Sequence, residues 1–248
     1  YFIFYLMKIS TWNVNSVNAR IEHLEKFIKK DQSDIYLLQE LKTVEDGFPK
    51  EVIKSMGYNS YVNGQKAWNG VAILSKKSLE VKNISIPKYN DPNARFIETE
   101  IKLKKIKEKI KLINIYLPNG NPIETEKFDY KIEWMKKLNE YIKDLKDKNI
   151  PIIIAGDFNV IPSDDDVYSP ENFKNDACAH PLTREQYRIL INMGFTDLVK
   201  HFIEGKTNWT FWGYRGGGWQ KGNGLRIDHF LTTANVTDLI KKVEVNRE

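Results

Sequence analysis

Residues Ile154-Ala155-Gly156-Asp157-Phe158-Asn159 decide the fold class. Together with 151–153 they form an apolar run that ends in an acid and an amide. A nearly all-apolar strand is the pattern of a sheet centre covered on both faces. Four other segments also put a polar group at the end of an apolar run: Thr11-Trp12-Asn13, Leu38-Gln39-Glu40, Ile115-Tyr116-Leu117-Pro118-Asn119-Gly120 and Leu225-Arg226-Ile227-Asp228. Strand tips converge on one rim of a sheet, and tips so far apart in sequence are hard to explain as packing.

Working outward, hydrophobic periodicity predicts a strand over 8–12 and an amphipathic helix over 17–30, with Ile21, Leu24, Phe27 and Ile28 on one stripe. A strand over 34–38 and a short helix over 48–56, ended by Gly57, come next. Strands are expected over 58–62, 70–74, 81–86, 96–103 and 111–116, then a long helix over 124–146. Residues 160–181 form a polar loop long enough to be functional. A helix over 183–193 follows, with Thr183 as N-cap and Gln186 completing a capping box. Strands over 209–214 and 225–231 flank a glycine-rich segment, and 241–246 alternates like one further strand. This order fits an α/β protein in which two mixed sheets pack face to face with helices outside.

No linker, repeat or low-complexity tract interrupts the 248 residues, so a single domain over 7–248 is expected. Residues 1–6 are apolar, too short for a signal segment, and precede Met7-Lys8-Ile9; they read as a non-native upstream extension. The net charge of +5 permits a polyanionic partner without requiring one. Cys178 is the single cysteine, which excludes an internal disulfide and a zinc cluster and suits a reducing compartment. No apolar run approaches the ~20 residues needed to span a bilayer. A cytoplasmic monomer is the expectation.

Hydrolysing a phosphodiester requires a nucleophilic water, charge neutralisation on the phosphoryl oxygens and help for the leaving alkoxide. Glu40 offers a carboxylate for a hard ion such as Mg²⁺, with Mn²⁺ as a substitute. A solvated loop acid is its bland alternative. Asn13 has a similar placement, against the alternative of a turn former. Asp157 and Asn159, two apart on an extended chain, point the same way; an Asx turn closing the strand is the competing reading. Tyr116 is a phosphate contact or a sheet-packing tyrosine. Asp228 polarises an imidazole or pairs with Arg226, while His229 points to the opposite face. Arg95 and Lys66 are candidate phosphate contacts, against a default of solvated charge. Phe211, Trp212 and the glycine-rich loop mix aromatics with basic groups, which suits stacking on a sugar or base; core aromatics on a hairpin stem are the even alternative.

In this order these segments, with Gly64-Gln65-Lys66 and Gly70-Val71-Ala72, resemble the exodeoxyribonuclease III / abasic-site endonuclease family within the endonuclease–exonuclease–phosphatase superfamily. The resemblance runs from Met7 to the last residue, and Trp212 to Asp228 is similar to the bacterial branch in particular. It implies a four-layered α/β sandwich and Mg²⁺-dependent cleavage of duplex DNA at abasic sites. It also implies 3′→5′ exonuclease and 3′-phosphatase or phosphodiesterase activity. By the same resemblance Glu40 binds the metal and Asn13 supports it. Asp157 activates the water, Asn159 orients it, Tyr116 contacts the phosphate and Asp228 assists the leaving group or a histidine. Arg95, Asn119 and Lys131 would line the DNA path, and Phe211, Trp212 and Leu225 the abasic-sugar pocket. Family members end in a Ser-Asp-His motif, whereas this sequence stops at Asn246-Arg247-Glu248. The expectation from the sequence is therefore a missing last strand and reduced catalysis. Two rivals remain, a catalytically impaired DNA-binding module and a superfamily phosphatase acting on inositol phosphates or phospholipids.

Overall fold

The computed structural model describes residues 7–103, 107–205, 208–213 and 217–246. The chain divides into two compact units, Tyr1–Tyr116 and Leu117–Glu248. Among the described residues no helix is long and apolar enough to cross a membrane.

In the first unit β1 (Ile9–Asn13) leads through α1 (Ile21–Asp31) to β2 (Ile35–Gln39), then α2 (Lys50–Ser55), β3 (Asn59–Asn63) and β4 (Val71–Ser75). The sheet order is β1-β2-β4-β3, with β1 and β2 parallel and the other pairs antiparallel. The predicted stripe explains α1: Leu24 and Ile28 are buried, and Ile21 and Phe27 pack against the same cluster as Tyr36, Leu38, Ala72 and Leu74. Gln32, left-handed at φ 54°, ends the helix and returns its N–H to the Ile28 carbonyl at 2.9 Å.

Every residue of β2 is buried. Alternation sends Tyr36 and Leu38 to the helices and Ile35, Leu37 and Gln39 to the opposite face. That face meets a second, antiparallel sheet built by β5 (Val81–Asn83), β6 (Phe96–Ile101) and β7 (Ile110–Tyr116). A mixed sheet packed face to face on a second sheet, with helices outside, is the α/β sandwich expected from the sequence.

The contact between these sheets is fixed by one amide. Asn114, fully buried on β7, donates to the Leu38 and Ala72 carbonyls at 3.0 and 2.9 Å. Its Oδ1 accepts from Gln39 Nε2 at 2.7 Å. An apolar contact would slide; a contact held by three directed hydrogen bonds has one register.

The second unit holds α3 (Glu126–Asp147), β8 (Ile152–Asp157), α4 (Pro181–Asn192), β9 (Phe195–Asp197), α5 (Leu198–Phe202), β10 (Phe211–Trp212), β11 (Gly224–Leu225), β12 (Asp228–Thr233) and α6 (Ala234–Thr237). Strand β12 pairs antiparallel with both β8 and β9, and α3 packs on α4. Sequence periodicity missed β9, α5 and α6, which are too short to show a period.

Three expectations are corrected. The helix expected over 183–193 starts at Pro181, capped by the His180 ring nitrogen, which accepts from Leu182 N–H at 3.2 Å. Thr183 instead bonds the Ala177 carbonyl, and Gln186 accepts from Asn139, so no capping box forms there. The strand expected over 225–231 breaks at Arg226-Ile227, because the Arg226 N–H is taken by the Asp166 carbonyl at 2.9 Å. Residues 241–246 form no strand.

Replacing Asn114 with Ala leaves two strand carbonyls and the Gln39 amide facing a small cavity. The expected loss is about 3 kcal/mol, read as a lower denaturant midpoint at unchanged m. A midpoint within a few tenths of a molar of the parent would show that the amide does not hold the sheets.

Candidate functional site

In the first unit, parallel pairing sets Asn13 opposite Gln39, so Asn13 and Glu40 leave the sheet at the same end. Beyond the strand the backbone is left-handed at Glu40 (φ 53°) and Lys42 (φ 54°). Non-glycine residues keep that conformation only where their surroundings enforce it. Here Leu41 and Lys42 donate their N–H groups to the Gly70 and Asn69 carbonyls at 3.2 and 2.9 Å. The turn presents a half-buried carboxylate. Glu40 Oε1 accepts from the Asn13 amide at 2.8 Å and from the Tyr116 hydroxyl at 2.9 Å. Oε2 pairs with the Lys42 ammonium at 3.1 Å. Arg95 lies 4.9 Å over the Tyr116 ring and donates to its carbonyl at 3.1 Å, so it holds the phenol in place.

Glu40 and the Asn13 amide form an oxygen donor set without thiolate or imidazole. It suits a hard ion that keeps most of its waters. Among the described residues no group of three or more His, Cys, Asp or Glu could form a metal cage. The Lys42 pairing shows that Oε2 already faces a positive charge.

In the second unit the end of β8 does not run on extended. Asn159 is left-handed at φ 47°, and its N–H returns to Asp157 Oδ1 at 2.8 Å. The two side chains therefore do not point alike along a strand; an Asx turn fixes both. Asn159 donates to the Leu117 carbonyl at 2.9 Å and accepts from the exposed Asn119 amide at 3.3 Å. Lys131 corrects an expectation. It is fully buried, with its ammonium on the Pro118 and Asn159 carbonyls at 3.0 and 2.7 Å. It ties the 117–119 and 157–159 turns together and is out of reach of a DNA strand.

Asp228 opens β12 directly opposite Asp157. Residues directly opposite on antiparallel strands share a face, so the two acids form a neighbouring pair. Arg226 does not neutralise it, since that side chain turns inward to Asp166 at 2.7 Å and Asp197 at 2.8 Å. His229 points away as expected. A guanidinium only donates, so His229 Nδ1 accepts from Arg226 at 2.9 Å and its Nε2–H donates to the Val160 carbonyl at 2.9 Å. It is a neutral core histidine.

Phe211 pairs with Leu225 in a short hairpin. Leu225 is buried against Ile161, Val167, Cys178 and Ile227. Phe211 remains exposed, and Trp212 meets Trp219 edge-on at 4.5 Å. Sequence reasoning missed Lys42, which looked like ordinary loop charge, and Asp166, which sits in the acidic run 164–166 and looked solvated.

The sequence model of the Endonuclease/Exonuclease/phosphatase family matches residues 10–244. The chain is similar to exodeoxyribonuclease III of Haemophilus influenzae, 34% identical with 94% of this chain and 90% of that protein covered. Among solved structures it is similar to a Neisseria 3′ phosphatase bound to a product DNA hairpin, with TM-score 0.87, 33% identity and 94% and 89% of the two chains covered. An AP endonuclease from Archaeoglobus fulgidus gives TM-score 0.87 at 32% identity with the same coverage.

The Arg226 cluster sets an acid limit on the fold. Burial, then the neighbouring Arg226 charge, pushes His229 down to about 4. Burial alone would raise Asp166, but Arg226, Ser163 and Lys200 outweigh it and hold that carboxyl at about 2. Both groups are depressed in the folded state, so the unfolded chain binds more protons and stability is lost as the pH is lowered. The His229 share, on the order of 3 kcal/mol, is complete above about pH 6.5 and lost by about pH 4. The Asp166 share is lost below that, toward pH 2. Chemical unfolding from pH 7 to 4 should show this slope in the parent and a flatter one in His229→Gln. Equal slopes would refute the assignment.

Proposed function

The chain belongs to the Endonuclease/Exonuclease/phosphatase family, and within it we propose a Mg²⁺-dependent DNA-repair phosphodiesterase. Its substrates are duplexes carrying abasic sites, cut 5′ to the lesion, and duplex 3′ ends, from which it removes nucleotides or a terminal phosphate. One observation carries this reading: Asp157 and Asp228 face each other across β8 and β12 at the strand ends. Two carboxyl groups side by side are useful where protons move on and off a reacting phosphate.

Glu40 would hold the cation, with Asn13 and Tyr116 fixing its Oε1. When bound, Mg²⁺ offsets the negative charge that gathers on the phosphoryl oxygens. Asp157 takes the proton of the attacking water, its carboxylate aimed by the Asn159 N–H. The water oxygen bonds phosphorus as the P–O3′ bond breaks, and Asp228 assists proton delivery to the departing oxygen. Tyr116, screened by Arg95, presents its phenol to a non-bridging oxygen. Asn119, exposed beside Asn159, and the Phe211–Trp212 stem contact the strand on either side of the break.

The test is a duplex with one abasic site, assayed with Mg²⁺ and with chelator. The parent should nick it only with metal. Asp157→Asn and Glu40→Gln should each lower kcat at least ~100-fold. Tight, salt-sensitive binding without product would favour a DNA-binding module. Release of phosphate from inositol phosphates, with DNA uncut, would replace the proposed substrate class.

A further inference from the structure

Trp68 is 69% exposed, more than any other large apolar side chain described in the molecule. A lone surface aromatic ordinarily needs no explanation. This one sits on a loop held with unusual rigidity. Gln65 Oε1 accepts from Asn69 Nδ2 at 2.9 Å and from the Ala94 N–H at 3.0 Å. Asn93 Oδ1 accepts from Asn69 at 3.1 Å and from Gln65 at 3.2 Å. Asn69 is itself buried, so the loop is pinned from inside. Ala67 (φ 64°) and Asn69 (φ 55°) are both left-handed on either side of Trp68, and the Trp68 N–H turns back to the Lys66 carbonyl at 2.8 Å. Gly70, at φ 90°, closes the loop where a Cβ would lie 2.9 Å from Leu41 Cβ.

The same loop is continuous with the carboxylate of the first unit. The Asn69 carbonyl accepts from Lys42, the partner of Glu40, and the Gly70 N–H donates to Ala94, next to Arg95. The charges around the indole favour a polyanion. Lys66 is exposed, and Lys42 and Arg95 lie on the adjoining turns. Of the nearby acids, Glu45 is engaged by Lys50 at 2.7 Å and Asp91 is turned onto the Asn93 N–H at 3.0 Å.

We propose that Trp68 is a stacking platform for a nucleobase of the DNA, held beside the Glu40 carboxylate by the rigid 64–70 loop. A fixed, solvent-facing indole loses little freedom on binding, and the bases bordering an abasic gap or a duplex end offer it a π-face that an intact stack would cover. Lys66 supplies the backbone contact next to it. This inference rests on the proposed action on DNA.

The experiment titrates the protein with an abasic-site duplex under chelator, following intrinsic tryptophan emission, and then measures cleavage with Mg²⁺. The parent should quench on binding, and Trp68→Phe should lose much of that quench while binding nearly as tightly. Trp68→Ala should bind roughly tenfold more weakly with the salt slope unchanged, whereas Lys66→Ala should make the slope shallower by about one. The melting temperature of Trp68→Ala should match the parent, because the ring is exposed. If Trp68→Ala binds, quenches and cuts like the parent, the stacking role is wrong while the nuclease reading stands. If the parent neither binds nor cuts DNA, both fall together.

Discussion

The first unit depends on a buried amide. Asn114 meets β2 and β4 through two backbone carbonyls and Gln39 through its own oxygen. Desolvating an amide is costly unless every bond is met, so the two sheets are locked in the one register that meets them. From that register the end of β7 delivers the Tyr116 hydroxyl to Glu40, and the end of β2 delivers Glu40 to Asn13. A purely apolar interface would tolerate a shift of one residue, and such a shift turns each tip to the wrong face.

The second unit uses the same device with charges. Lys131 joins two turns from inside, and Arg226 joins the acidic 164–166 turn, β9 and the foot of β12. Both cations are buried; Lys131 meets two carbonyls, and Arg226 meets two carboxylates and the His229 ring, the kind of partnering under which a buried charge is tolerated. Lys200 adds a third contact to Asp166 at 2.9 Å. The turn carrying Asp157 and the strand carrying Asp228 are thus braced by groups that do no chemistry themselves.

How much of this was legible followed the range of the interactions. Glu40, Asp157 and Asn159 stood out because a polar group closing an apolar run is a local pattern. The sandwich followed from strands too apolar for one covered face, as β2 and β8 proved to be. What failed was settled by partners distant in sequence. Alternation ran through Arg226-Ile227 because nothing local reveals that Asp166, sixty positions earlier, takes its N–H and guanidinium. Thr183 and Gln186 had the spacing of a capping box, but Ala177 and Asn139 claimed them. Lys131 looked like any helix-surface lysine until the fold enclosed it.

The break at Arg226 has a consequence for how such a chain can change over time. The β11 strand reaches Asp228 through Arg226-Ile227, and that short stretch is clamped from outside the hairpin by Asp166 and Asp197 and at the hairpin's foot by the Thr210 hydroxyl. The β10–β11 stem is therefore separated mechanically from β12. Insertions, deletions or new aromatics beyond that stem can change what the hairpin touches while Asp228 keeps its place against Asp157. Hairpin and strand are separable modules here, free to drift at different speeds.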